Sequence, residues 1–155
     1  MLFQSVTEIE RVVRASWSQE TCDPVDLAQW SPENSARGQC AVTALVVQDL
    51  LGGELLVADV LNADGSRQGV HYWNRLGDGV EVDLTREQFA PTETVQAPTV
   101  VPRPDDLSAG RLFGQYQALS RAVRAGLRGA SSRSRAASWT PGHPPRRTSA
   151  ANGSE

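Results

Sequence analysis

Residues 38–53, GQCAVTALVVQDLLGG, decide how this chain folds. Ala41, Val42, Ala44, Leu45, Val46, Val47, Leu50 and Leu51 make the stretch apolar over most of a helical circumference. That pattern predicts a buried central helix over 39–51, stopped by Gly52-Gly53. Downstream, 55–61 is a short apolar run, Asn62-Ala-Asp-Gly65 is a turn, and 70–76 resumes as a strand. Gly77-Asp-Gly79 then turns the chain into a third strand over 80–84. The expected architecture is α+β, with the helix that carries Cys40 packed on a small antiparallel sheet.

The flanks complete a single domain. Ser5 followed by Glu8 is a capping box, and Val6, Ile9, Val12 and Val13 keep helical spacing, which predicts a helix over 5–17. Residues 18–38 read as an irregular connection anchored by Leu27 and Trp30. Residues 85–89 suit one helical turn, and the Pro-rich 91–104 suits a meander over the surface. A last helix is expected from near Asp105, because Leu112, Tyr116, Leu119, Val123 and Leu127 recur at its period. From 129 onward the chain is Ser, Arg, Pro and Ala with one aromatic residue, Trp139, and reads as a disordered tail. The division is a domain over 1–128 and a tail over 129–155.

A length of 155 residues is enough for one globule with a real core. Residues 1–129 hold 11 arginines against 17 acidic residues, a net charge of −6, whereas 130–155 hold 4 arginines against Glu155, a net charge of +3. The four tail arginines suit contact with nucleic acid or an acidic protein partner, but a short solvated tail is the plainer reading, and nucleic acid is not expected as a partner. No apolar run is long enough for export or for spanning a membrane, so a cytoplasmic protein is expected. In that compartment Cys22 and Cys40 stay reduced.

Three residues carry chemistry in the order thiol, imidazole, carboxylate: Cys40, His71 and Asp83. A cysteine nucleophile needs a base to take its proton and a third group to orient that base. Cys40 falls in the first turn of the central helix, where unpaired N–H groups and the helix dipole favour a thiolate and also suit an oxyanion. If the hairpin turn is the three residues 77–79, Trp73 faces Asp83 and His71 faces Thr85. His71 and Asp83 then become diagonal neighbours on one face, which fixes the tautomer and leaves the second ring nitrogen for Cys40. Gln39, Trp30 and Asn74 are candidates for substrate or oxyanion contact. Each residue also has a plain reading: Cys40 as a small buried hydrophobe, His71 as packing beside Tyr72 and Trp73, and Asp83 as a cap for the turn that follows. A metal site lacks a fourth ligand, since His143 falls in the tail and Cys22 stands alone, and no glycine-rich phosphate loop is present; no cofactor is expected.

The words Trp30-Ser-Pro-Glu-Asn, Gly38-Gln-Cys-Ala-Val-Thr-Ala44, Gly52-Gly-Glu54, His71-Tyr-Trp-Asn74 and Val82-Asp-Leu-Thr-Arg-Glu-Gln-Phe89 resemble the YunG family of small bacterial proteins over about residues 10–128. That resemblance implies a compact α+β domain and no settled activity. More distantly, a helix-borne Cys followed by His and Asp on neighbouring strands is similar to the papain-like and transglutaminase-like superfamily. This likeness implies a papain-like minimal fold with Cys40 as nucleophile, His71 as base and Asp83 as orienter. The expected activity is hydrolysis or transfer of an amide or thioester acyl group. Two rivals remain open: a binding module that keeps the same geometry structurally, and a partner of a larger assembly held through the basic tail.

Overall fold

The computed structural model describes residues 4–137. Its architecture is α+β, with helices α1 (Val6–Ser16), α2 (Cys40–Leu51) and α3 (Phe113–Ala137). Five strands accompany them: β1 (Glu54–Leu61), β2 (Arg67–Arg75), β3 (Glu81–Val82), β4 (Thr94–Val95) and β5 (Thr99–Val101). Ser5 caps α1 as its sequence requires, its hydroxyl accepting the Glu8 N–H at 3.1 Å. Ile9, Val12 and Val13 of α1 are buried. Gly126 of α3 lies so close to α1 that a Cβ there would stand 2.6 Å from Val12 Cγ1, so the two helices cross at a glycine.

Helix α2 ends where expected, at Gly52 and Gly53, both with positive φ. Gly53 is needed for a second reason: an added Cβ would come within 2.3 Å of the Arg75 carbonyl oxygen, at the point where β1 begins to pair with β2. The sheet order is β3-β2-β1-β4, all antiparallel, with β5 also on β1. The Gly77–Gly79 turn has the three-residue geometry. Leu76 N–H bonds to the Val80 carbonyl, Gly79 N–H bonds back to Leu76, and Gly79 takes φ +84°.

Strand alternation sorts residues between two cores. On one face, Ile9, Val12 and Val13 of α1, Val42, Val46 and Val47 of α2, and Leu119, Val123 and Leu127 of α3 pack together with Leu84. On the other face Leu56, Ala58 and Trp73 form a smaller cluster, with Val95 against it. Among the described residues no helix is long and apolar enough to cross a membrane.

Three expectations are corrected. The Pro-rich stretch is not only a meander, because β4 and β5 lie in it and complete the far edge of β1. Its prolines flank the strands without interrupting a ladder, as an edge allows. The last helix does not start near Asp105. Asp106 caps a single turn over Leu107–Ala109, Gly110 is extended, and α3 begins at Phe113. That helix also runs on past 128 to Ala137, because the Ala and Arg of this segment are strong helix formers and Ala130 is buried. The rest of the expected tail, 138–155, with Trp139 and His143, lies outside the described residues.

Candidate active site

His71 is fully buried, and its Nε2 lies 2.8 Å from Asp83 Oδ2. The hairpin register accounts for this contact. Asn74 pairs with Val82 and Arg75 with Glu81, so His71 and Asp83 are diagonal neighbours on one face, as the three-residue turn predicts. The ring is held by stacking on Trp73 at 5.2 Å between centroids and by the edge of Phe89 at 4.9 Å. Trp73 is fixed in turn, donating its indole N–H to Glu81 Oε2 at 2.8 Å. The Asp83 carboxylate also accepts the Thr85 N–H through Oδ1, at 3.3 Å.

Cys40 is the first residue of α2 and is partly exposed. Its sulfur takes backbone hydrogen bonds from Ala41 and from Tyr72, the residue after His71. The thiol therefore stands at the free side of β2, just beyond the short pairing of that strand with β3. The expected thiolate is not the resting form. Burial pushes the Cys40 thiol up to about 11, and the carboxylates of Asp26 and Asp83 add to the rise, against the lowering by the two N–H groups. At neutral pH the sulfur carries its proton. Iodoacetamide alkylation of Cys40, in a Cys22→Ala background, is expected to rise about tenfold per pH unit from pH 7 to pH 9. A plateau below pH 8 would show a thiolate in the resting protein.

The second ring nitrogen of His71 has a neighbour that the sequence did not indicate. Nδ1 faces Gln88 Nε2 at 3.4 Å, because the short helical turn Arg86–Gln88 carries that side chain over the ring. Gln88 is buried and ties three segments together: its amide N–H also donates to Thr85 O at 3.0 Å, and its Oε1 accepts Gly38 N–H at 3.4 Å. With Gln88 donating to Nδ1, the ring proton sits on Nε2 and points at Asp83.

The three further candidates have other occupations. Asn74 is of opposite parity to His71 along β2 and donates its amide to Ala44 O of α2 at 2.9 Å, so it fastens helix to sheet on the other face. Gln39 is fully buried, accepts from Thr21 Oγ1 at 2.7 Å and donates to Ser18 O at 3.0 Å. Trp30 gives its indole N–H to Ser35 O at 3.1 Å. In each case a backbone carbonyl takes the amide or indole N–H. What remains for an oxyanion is the start of α2 itself.

The sequence profile of the family described as YunG protein matches residues 5–128, most of the described chain. The chain belongs to the YunG family. It is 34% identical over 92 residues to the protein of Bacillus subtilis (strain 168) named "Uncharacterized protein YunG", which covers 59% of this chain and 70% of that relative. No solved structure matches. In this YunG chain the matched region takes in Cys40, His71, Asp83 and Gln88 alike. Sequence reasoning passed over Gln88, although it stands only five residues after Asp83 in the turn already marked as helical. Its polar side chain next to Phe89, itself partly buried, was the available signal. Among the described residues no group of three or more His, Cys, Asp or Glu side chains is arranged to hold a metal ion.

Proposed function

We propose that this YunG chain transfers or hydrolyses acyl groups of amides or thioesters through Cys40, in the manner of the papain-like and transglutaminase-like proteins. The observation that carries the reading is the buried His71–Asp83 pair at 2.8 Å, beside a helix N-terminus that begins with a cysteine. An ion pair at rest is not required. As the sulfur attacks the carbonyl carbon, the S–H proton passes to His71 Nδ1, which Gln88 yields, and the imidazolium is stabilised by Asp83. The first N–H groups of α2 receive the oxyanion. Collapse expels the amine or thiol with the proton from His71, leaving the acyl group on Cys40 for water or an amine to take.

The test is intact-mass and peptide mapping of the full-length protein after exposure to p-nitrophenyl acetate and to S-acetyl-N-acetylcysteamine. An acetyl adduct on Cys40, absent in Cys40→Ala and strongly reduced in His71→Ala, is the expected result. The neutral thiol and the two occupied ring nitrogens favour a second reading, a binding module in which the same residues are structural. Absence of any Cys40 adduct, or an adduct formed equally well in His71→Ala, would select that reading.

A further inference from the structure

A cavity of about 450 Å³ opens beside the candidate site, and its walls come from the two segments that carry it. Asn34 and Arg37 lie on the approach to Cys40, and Gln88, Phe89 and Glu93 lie on the chain that follows Asp83. Gln88 and Phe89 also touch His71, so cavity and imidazole share a wall. The volume suits a small molecule.

Within this cavity two charged side chains each present one polar atom that, among the described residues, hydrogen-bonds to no protein group. Arg37 is 8% exposed and spends Nε and Nη2 on Asp26 Oδ1, at 3.1 and 3.0 Å. Glu93 Oε2 accepts the Ala90 N–H. Arg37 Nη1 and Glu93 Oε1 then face each other at 3.9 Å, beyond hydrogen-bond distance, and among the described residues no other hydrogen bond reaches either atom. A donor and an acceptor of opposite charge, held 3.9 Å apart, match a flat group that accepts at one atom and donates at the next. A carboxylate offers no donor to Glu93 Oε1 and an ammonium no acceptor to Arg37 Nη1, so the pair selects a group that carries both.

We infer that the cavity binds a neutral carboxamide, whose carbonyl oxygen accepts from Arg37 Nη1 and whose N–H donates to Glu93 Oε1. This assigns an amide rather than a thioester to the site and rests on the acyl-transfer reading for its catalytic consequence. Binding itself is independent of catalysis, so the two separate in experiment. In the full-length protein, butyramide is expected to give saturable NMR shifts of the Gln88 side-chain amide and the His71 ring, with a dissociation constant of about 1–10 mM, as befits so small a ligand. Glu93→Ala is expected to weaken binding about tenfold or more, and Glu93→Gln, whose single oxygen is held by the Ala90 N–H so that its NH₂ faces the cavity, to weaken it likewise. Butyrate and butylammonium should give no saturable shift at the same concentrations. No shift with butyramide, equal shifts with the acid or the amine, or unchanged binding in Glu93→Ala would overturn the assignment. Amide binding without a Cys40 adduct would end the catalytic reading alone, and an adduct without amide binding would end this inference alone.

Discussion

Asp83→Asn is expected to slow acylation of Cys40 by about four orders of magnitude while leaving the fold in place. The substitution is isosteric, so packing is unchanged. What changes is a proton. Asp83 Oδ1 already accepts the Thr85 N–H at 3.3 Å, and an asparagine keeps that bond only by placing its oxygen there. Its NH₂ then occupies the position of Oδ2 and points at His71 Nε2. Nε2 becomes an acceptor, the ring proton moves to Nδ1, and the atom meant to take the thiol proton is filled. A donor on Nδ1 also opposes the Gln88 amide, so the variant loses that contact as well. The measurement is the rate of acetyl-adduct formation on Cys40, with thermal unfolding of both proteins as the control for folding. A rate within about tenfold of the parent at equal stability would remove Asp83 from the proposed chemistry.

Trp73→Ala is expected to cost about 3–5 kcal/mol of folding stability, the largest loss from any single side chain on its face of the sheet. Trp73 is 5% exposed and is the only large residue in a cluster otherwise made of Leu56, Ala58 and Val95. So small a group has few side chains able to move into the space left behind, so most of the cavity would persist. The deletion also strips His71 of its stacked neighbour and leaves Glu81 Oε2 without the indole N–H. Trp73→Phe keeps a ring against the imidazole and should cost clearly less. Urea unfolding with a fitted midpoint and slope distinguishes the outcomes. A loss below about 1 kcal/mol for Trp73→Ala would mean that the second core adds little to the fold.

The contact between His71 and Asp83 was legible in advance because it depends on short-range rules: a Gly-Asp-Gly turn fixes the register, and the register fixes the face. The same rule, carried three residues along β2, separates Asn74 from His71, so the role of Asn74 was within reach of the sequence. Gln39 and Trp30 were not. Their polar groups are taken up by Ser18, Thr21 and Ser35 in a loop whose path has no periodic signal. The state of Cys40 was legible only in part. A helix start favours a thiolate, but the opposing burial, and the like-charged Asp26 and Asp83, are products of packing. β4 and β5 escaped notice because they are two and three residues long, too short for alternation to register amid prolines.

Those two short strands bear on how the protein behaves in a crowded solution. β1, the more apolar of the two long strands, is covered along one side by β2 and along the other by β4 and β5, with Gln96 N–H closing onto Asp59 O between them. The outermost strands, β3, β4 and β5, offer only two or three residues each, and Pro98 and Pro102 bracket β5. On the β4–β5 side of the sheet a neighbouring molecule thus finds no extended template on which to add a strand. That edge is thereby guarded against edge-to-edge polymerisation.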